Sequence, residues 1–538
     1  MGDVSDPVAE LFSAVSETAA SLAGNGRVSA PQLDRPPRPD FGDYSTNAAM
    51  LLAPTLGESP RAIAERLGQA LGERLGPAVD KVEIAGPGFL NLFMADRWYL
   101  EALAAMGAAG RSFGAGDSGE RVQVEFVSAN PTGPITVASA RHAAYGDSLA
   151  RTLELAGNNV EREFYVNDSG TQVRKFGEAI RARARGEEPE EYGGEYVREL
   201  AERIDGAAEA DPEELAQKGI ALMLEGVKRS LERFRVRMDR FFSERSLHQS
   251  GASEEVLGKL DRVYQHDGAM WLRTTEEGDD KDRVLRRSNG ELTYFATDIA
   301  YHADKLARSY DHAINVLGSD HHGYVKRMYG AWRALGGDPD AYEIVIMQFV
   351  NLLESGVQVQ MSKRAGAIVT LDDLVDDIGV DAARWFLVSR SHDTRIDLDL
   401  DLARRQSQDN PVYYVQYAHA RIASILRKAG EQRVAAAAAA DLSASAEQFH
   451  PSARALVKAL LDFPGEVREA AGRRAPHRMT TYALEAAQGF SAFYRDCRVV
   501  GAAEEGGDED VRIMISLQAK EVLARSLDLL GVEAPESM

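Results

Sequence analysis

Residues 121–166 constrain this chain more than any other stretch. Val122, Val124 and Phe126 alternate with Gln123 and Glu125, the period of a strand with one packed face. A loop rich in proline and glycine follows at 128–134. From Val137 to Ala156 the apolar spacing turns helical, Gly157 supplies a stop, and 160–166 is strand-like again. Strand, helix and strand in that order form a βαβ unit, which implies a parallel sheet with a right-handed crossover. Further strand signals at 291–295, 313–317 and 343–347 alternate with helical segments and extend that sheet.

At 538 residues the chain exceeds what one core supports, so three or four domains are expected. The first hundred residues alternate helical and strand patterns, a small α/β module. Within it Pro36, Pro37 and Pro39 force an extended loop before Phe41-Gly42-Asp43-Tyr44. A linker rich in glycine and alanine at 107–119 separates this module from the βαβ unit. Residues from about 175 to 285 are charged and helix-prone, and read as an insertion into the sheet domain. After about residue 400 only helices follow, the first marked by Asn410 as N-cap and Pro411 at its first position. The units are thus 1–112, 113–400 and 401–538.

A net charge of −22 excludes a protein that coats nucleic acid by bulk attraction, although it permits a shaped RNA read at a few points. The sequence has no apolar run of about 20 residues, so no membrane helix is expected. Acids near the N-terminus replace the basic start of a secretory signal, which points to the cytoplasm. The single cysteine, Cys497, reads as a small buried residue, and without a Cys/His cluster no metal site is expected.

The loop before the 137–156 helix would place backbone N–H groups and the positive end of the helix dipole at the sheet's carboxyl edge, where an anion binds well. That loop belongs to the first of four motifs: Glu125-Phe126-Val127-Ser128-Ala129-Asn130-Pro131-Thr132-Gly133-Pro134, then Phe164 to Gly170, Met361-Ser362-Lys363-Arg364, and Asn410 to Arg421. In order and spacing these resemble bacterial arginyl-tRNA synthetases, nearly end to end. The resemblance implies an α/β catalytic domain with a Rossmann-like parallel sheet, an N-terminal α/β module that touches tRNA, and a C-terminal all-α helical bundle that binds the anticodon. It also implies ATP-dependent activation of arginine and transfer to the 3′ end of tRNA(Arg). Magnesium would accompany ATP, with no prosthetic group and a monomeric chain.

Two departures stand out. The family's His-Ile-Gly-His signature falls on Thr136-Val137-Ala138-Ser139, directly after Ile135, so both imidazoles that would bond ATP phosphates are missing. Hydroxyls can donate hydrogen bonds but carry no positive charge. The second signature keeps Met361, Ser362 and Lys363 but loses its first lysine to Gln360. Lys363 is left as the phosphate-binding cation, and His142, one turn beyond Ser139, is a candidate replacement imidazole.

For arginine the resemblance carries over to Glu125, Ser128, Asn130, Tyr294, Asp298 and His321. A guanidinium wants carboxylates, and Asp298 shares a helix face with Tyr294 four residues earlier. Tyr414, Tyr417 and Arg421, spaced i, i+3, i+7, suit stacking on unpaired bases of tRNA. Loss of the histidines leaves two alternatives: a paralogue that binds tRNA without charging it, or a ligase acting on a small acceptor.

Overall fold

The computed structural model describes residues 6–24, 26, 29–36, 38–359, 362–363 and 367–538. Its centre is a five-stranded sheet, every neighbouring pair parallel. In chain order the strands are β1 (Arg121–Glu125), β2 (Asn159–Val166), β3 (Arg240–Ser243), β4 (His312–Gly318) and β5 (Tyr342–Met347). Their spatial order is β5-β4-β1-β2-β3. The chain leaves β1 toward β2 and later returns to the other side at β4, so β1 and β4 flank the switch point where such sheets bind ligands.

Helix α1 (Val137–Leu155) makes the crossover from β1 to β2. It packs closely because Gly146 has no side chain: a Cβ there would overlap the Phe126 ring. Arg141, also on α1, is buried with its guanidinium donating to the carbonyls of Gln348 at 2.5 Å and of Ser391 and Thr394 at 2.9 Å each. Burial lowers its pKa to about 10, still charged at neutral pH, and the bonds fix α1 against the chain beyond β5.

Two stretches differ from the sequence reading. β3 lies inside 175–285, so the insertion there is two pieces rather than one. Helices Thr171–Ala184, Glu195–Arg203 and Pro212–Arg233 precede β3, and an antiparallel sheet of Val263–His266, Ala269–Leu272 and Arg283–Arg286 follows it. With four residues and charged neighbours, β3 carries too little periodicity to be legible. The strand expected at 291–295 is instead the start of helix α2 (Tyr294–Ala307). Thr293 sits at its N-cap and donates its hydroxyl to Val284 O at 2.8 Å, and Leu292 keeps a single bridge to Arg286.

The N-terminal module is a four-stranded antiparallel sheet backed by Pro7–Ala23, Ala48–Leu56 and Pro60–Leu75, with Leu11, Val15, Ile63, Leu67, Leu90 and Leu92 in its core. Beyond the sheet domain come α3 (Leu371–Val388) and the helical C-terminal part, in which α4 (Pro411–Ala429), α5 (Arg478–Asp496) and α6 (Glu509–Leu529) are the longest helices. Asn410 caps α4 by accepting from Val412 N, and Pro411 takes the first position, where no backbone donor is needed. Cys497 is buried. No helix among the described residues is long and apolar enough to cross a membrane.

Candidate active site

The carboxyl end of β1 turns sharply. Val127 and Ser128 follow the strand with φ of 70° and 39°, left-handed values that a branched residue such as valine rarely adopts. Strain of this kind costs on the order of 1–3 kcal/mol per residue and concentrates at functional sites. Here it turns Ser128 back, so that its hydroxyl donates to Glu125 Oε1 and accepts from Tyr165 N, both at 3.1 Å.

Glu125 ends β1 and is buried. Its Oε2 accepts from Lys305 Nζ at 2.6 Å and from the Tyr301 hydroxyl at 2.9 Å, and Lys305 also donates to Asn315 Oδ1 at 2.6 Å. Tyr301 and Lys305 come from the face of α2 that carries Asp298 and packs on the sheet. Glu125 can still accept a hydrogen bond from a ligand, but Lys305 already balances its charge. Lys305→Met should therefore leave a buried carboxylate unpaired and lower stability by about 3–5 kcal/mol, read as a shift in the urea unfolding midpoint. An unchanged midpoint would mean that the pair carries no such weight.

Near Glu125 two further acids, Asp298 and Glu244, form no ion pair with a lysine or arginine among the described residues. Asp298 makes no hydrogen bond or ion pair among the described residues, and burial, reinforced by the charge of Glu125 and opposed by Arg327, raises its pKa to about 7. Glu244, the residue after β3, is buried with a pKa likewise raised to about 7, first by burial and then by the charge of Asp298. Its partners are the Tyr165 hydroxyl and His248 at 3.7 Å. The rings of Tyr165, Tyr301 and Phe242 contact one another, with Tyr165 stacked on Phe242 and tilted against Tyr301. The charge of Asp298 adds to burial in raising Glu244, so the two carboxyl groups lie near enough to act on one cation. Sequence reasoning missed Glu244, because its four-residue strand was itself illegible.

Other expected residues lie around this pocket. Tyr294 is 60% exposed, with its ring against Gly170 in the loop after β2. Asn130 joins Asn167 and Gln172 in a chain of amide bonds at 3.3 and 3.2 Å. His321 sits in the short turn after β4, beside Asp320 at 3.6 Å and Tyr324.

Toward α1, Thr136 is an N-cap that accepts from Ser139 N at 3.3 Å, and its hydroxyl also bonds the Ser139 hydroxyl. Val137 N donates to Val369 O at 3.3 Å. Of the first-turn N–H groups, those of Val137 and Ser139 are therefore engaged, fewer being open than the loop promised, and that of Ala138 stays open among the described residues. Leu371 N donates to Ile135 O at 2.8 Å and Thr370 forms a bridge with Thr136, so the start of α3 is fixed to the signature loop. Ser362–Lys363 pairs antiparallel with Ala367–Ile368 just before this junction. The side chains of Ser362 and Lys363, and all of Met361, lie outside the described residues. His142 points at the end of β4, with Cε1 3.6 Å from where a Gly318 side chain would begin, and burial together with Arg141 lowers its pKa to about 4. It is a neutral imidazole at pH 7.

On the C-terminal part, Tyr417 stacks on Tyr413 at 6.4 Å, and Arg421 bonds the Tyr417 hydroxyl at 2.9 Å and lies 4.5 Å over Tyr494. Tyr414 is not in this row: its hydroxyl donates to Ser491 at 2.9 Å and its ring packs on the core. The aromatic face is thus Tyr413, Tyr417 and Tyr494 with Arg421. Beside Tyr413 a cavity of about 510 Å³ is lined by Gly379, Asp381, Arg404, Arg405, Gln416 and Met538.

Three family profiles match the chain: the arginyl tRNA synthetase N terminal domain at 9–94, the class I (R) tRNA synthetase catalytic domain at 222–401, and the DALR anticodon binding domain at 415–538. The fold aligns with Thermus thermophilus arginyl-tRNA synthetase at a TM-score of 0.76 and 24% identity, over 98% of this chain and 100% of that one. An arginine–tRNA ligase of Frankia alni is 45% identical over 525 residues, 94% of each chain, and one of Heliobacterium modesticaldum is 42% identical over 94% of this chain and 93% of its own. At that identity and coverage the chain belongs to the arginyl-tRNA synthetase family.

Proposed function

We infer that the protein is an arginine–tRNA ligase, which forms arginyl-adenylate from arginine and ATP and transfers the arginyl group to the 3′ end of tRNA(Arg). The observation that carries this reading is the pair of acids, Asp298 and Glu244, on the carboxyl side of the sheet, neither in an ion pair with a lysine or arginine among the described residues. A guanidinium supplies the missing charge with forked donors. In the first step a carboxylate oxygen of arginine attacks the α-phosphorus of ATP, and the bond to the β-phosphate breaks as pyrophosphate leaves. A ribose hydroxyl of the tRNA terminus then attacks the arginyl carbonyl, gives up its proton, and releases AMP. Magnesium would enter on the phosphates of ATP. Ser128, Asn130, Tyr294 and His321 would supply the remaining contacts to arginine.

Residues 1–112, 113–400 and 401–538 divide the work between the tRNA body, chemistry and the anticodon. A monomer acting in the cytoplasm fits this arrangement. Neither a paralogue that only binds tRNA nor a ligase for a small acceptor is favoured, since arginine–tRNA ligases are 42–45% identical over 94% of this chain.

Two measurements follow here. Protein incubated with arginine, ATP, magnesium and tRNA(Arg) should yield arginyl-tRNA on an acid gel, and no charging at saturation would overturn the reading. The KM for arginine should also fall as pH rises from 6 to 8. Below pH 7 the two acids are protonated and neutral, and above it they are ionised and attract the guanidinium. The change should be about tenfold, as each pKa unit is worth about 1.4 kcal/mol. A flat profile would contradict the pairing. Removing the ring in Tyr417→Ala should weaken tRNA binding by about 1–3 kcal/mol, measurable by filter binding, with arginine KM unchanged.

A further inference from the structure

The loop after β2 carries the second of the four motifs, Phe164 to Gly170, and its polar groups divide among the pocket residues. Tyr165 donates its N–H to Ser128 and its hydroxyl to Glu244, and Asn167 donates to Asn130. Asp168 is spent differently. It is buried, its N–H folded back to Val166 O at 2.9 Å, and it forms no ion pair among the described residues. Its Oδ2 accepts from the Ser243 hydroxyl at 2.6 Å and its Oδ1 from Arg245 N at 2.9 Å. These two donors stand on either side of Glu244, the first residue of the short helix Glu244–Gln249. Ser243 occupies the N-cap of that helix but makes no capping bond with its side chain, and Asp168 supplies from the neighbouring loop the acceptor that the first turn needs. The reach is short because β2 and β3 pair with Val166 opposite Ser243.

We propose that Asp168 is a positioning residue for arginine recognition: by accepting from Ser243 and Arg245 on either side of Glu244, it fixes the start of that helix and with it the direction of the Glu244 carboxyl. A helix of six residues is marginal by itself, so its first side chain points where the cap holds it. A buried carboxylate without a cation is costly, and the Ser243 hydroxyl could have capped the helix alone. The charge adds what a hydroxyl lacks. After burial and the charge of Asp298, the charge of Asp168 is a further cause raising Glu244, against the Tyr165 hydroxyl, with His248 standing 3.7 Å away.

The proposal rests on the arginine–tRNA ligase reading with Glu244 in the arginine pocket, and steady-state charging of tRNA(Arg) by the full-length protein tests it. Asp168→Ala frees both donors and should raise the KM for arginine about tenfold, the weight of one hydrogen bond to a charged group, with the KM for ATP within about twofold. Ser243→Ala removes one of the two bonds and should raise the KM for arginine about threefold. Asp168→Asn should stay within about twofold of wild type at pH 8, since its amide oxygen can accept from Arg245 N while its amide N–H donates to the Ser243 hydroxyl. In that variant the pH at which the KM for arginine changes most steeply should move down by about half a unit, because one like charge has gone. A purely structural Asp168 would instead impair kcat, the KM for ATP and Tm together in Asp168→Ala, and leave the pH profile of Asp168→Asn in place. Those results, or an arginine KM unchanged in both Asp168→Ala and Ser243→Ala, would overturn the proposal. Wild-type protein that fails to charge tRNA would overturn the ligase reading beneath it.

Discussion

Asp298→Ala should lower kcat/KM for arginine by about 3–5 kcal/mol, roughly 150- to 5000-fold, the cost of removing one partner of a buried charge pair. The loss should appear mainly in the arginine terms, with the KM for ATP little changed. Asp298→Asn should be nearly as impaired, since it keeps the shape and loses the charge. Folding stability should respond in the opposite sense to Lys305→Met: Asp298 has no cationic partner within ion-pair distance in the free protein and burial already raises its pKa, so removing it costs the fold little or stabilises it. Arginine kinetics unchanged in Asp298→Ala would show that the pocket lies elsewhere.

Lys363→Ala should slow arginine activation by about 1000-fold, the upper end for loss of one preorganised donor to developing negative charge. Residues Thr136 to Ser139 carry no histidine, and two first-turn N–H groups of α1 are engaged by Val369 O and the Thr136 hydroxyl. Few donors remain, and Ser362–Lys363 is held by strand pairing just before the junction with the signature loop. Thr136→Ala and Ser139→Ala should cost less in activation, because the Thr136 hydroxyl caps the helix, where removal is worth about 1 kcal/mol of stability, and the Ser139 hydroxyl only accepts from it. His142→Ala is the companion: with a pKa of about 4 the ring is neutral, so its loss should matter less than that of Lys363. Pyrophosphate exchange measures all four variants. Near-normal exchange in Lys363→Ala would make the retained Met361-Ser362-Lys363 motif a relic.

Where local periodicity governs, the sequence is a good guide. The β1–α1–β2 unit and the strands at 313–317 and 343–347 each carry their own pattern, and Asn410 with Pro411 marks the start of α4 through local capping chemistry. The face of α2 was partly legible, since Tyr294 and Asp298 share it by spacing alone. What stayed hidden depends on contacts remote in sequence. Lys305 neutralises Glu125 from 180 residues away. Tyr494 completes the aromatic row from another helix, and Ser491 draws Tyr414 out of it. The strained turn at Val127 and Ser128 carries neither glycine nor asparagine, the residues that usually announce a positive φ. Glu244 reaches the pocket only because a four-residue strand places it there.

The central claim is that Asp298 and Glu244, neither in an ion pair with a lysine or arginine among the described residues, select arginine by its charge. Charging of tRNA(Arg) with arginine against citrulline tests it most directly, since citrulline has nearly the same shape with a neutral ureido group in place of the guanidinium. A site built for a buried charged donor should reject the neutral analogue by about four orders of magnitude or more in kcat/KM. Efficient charging with arginine and none detectable with citrulline is the predicted result; comparable use of both would contradict the account.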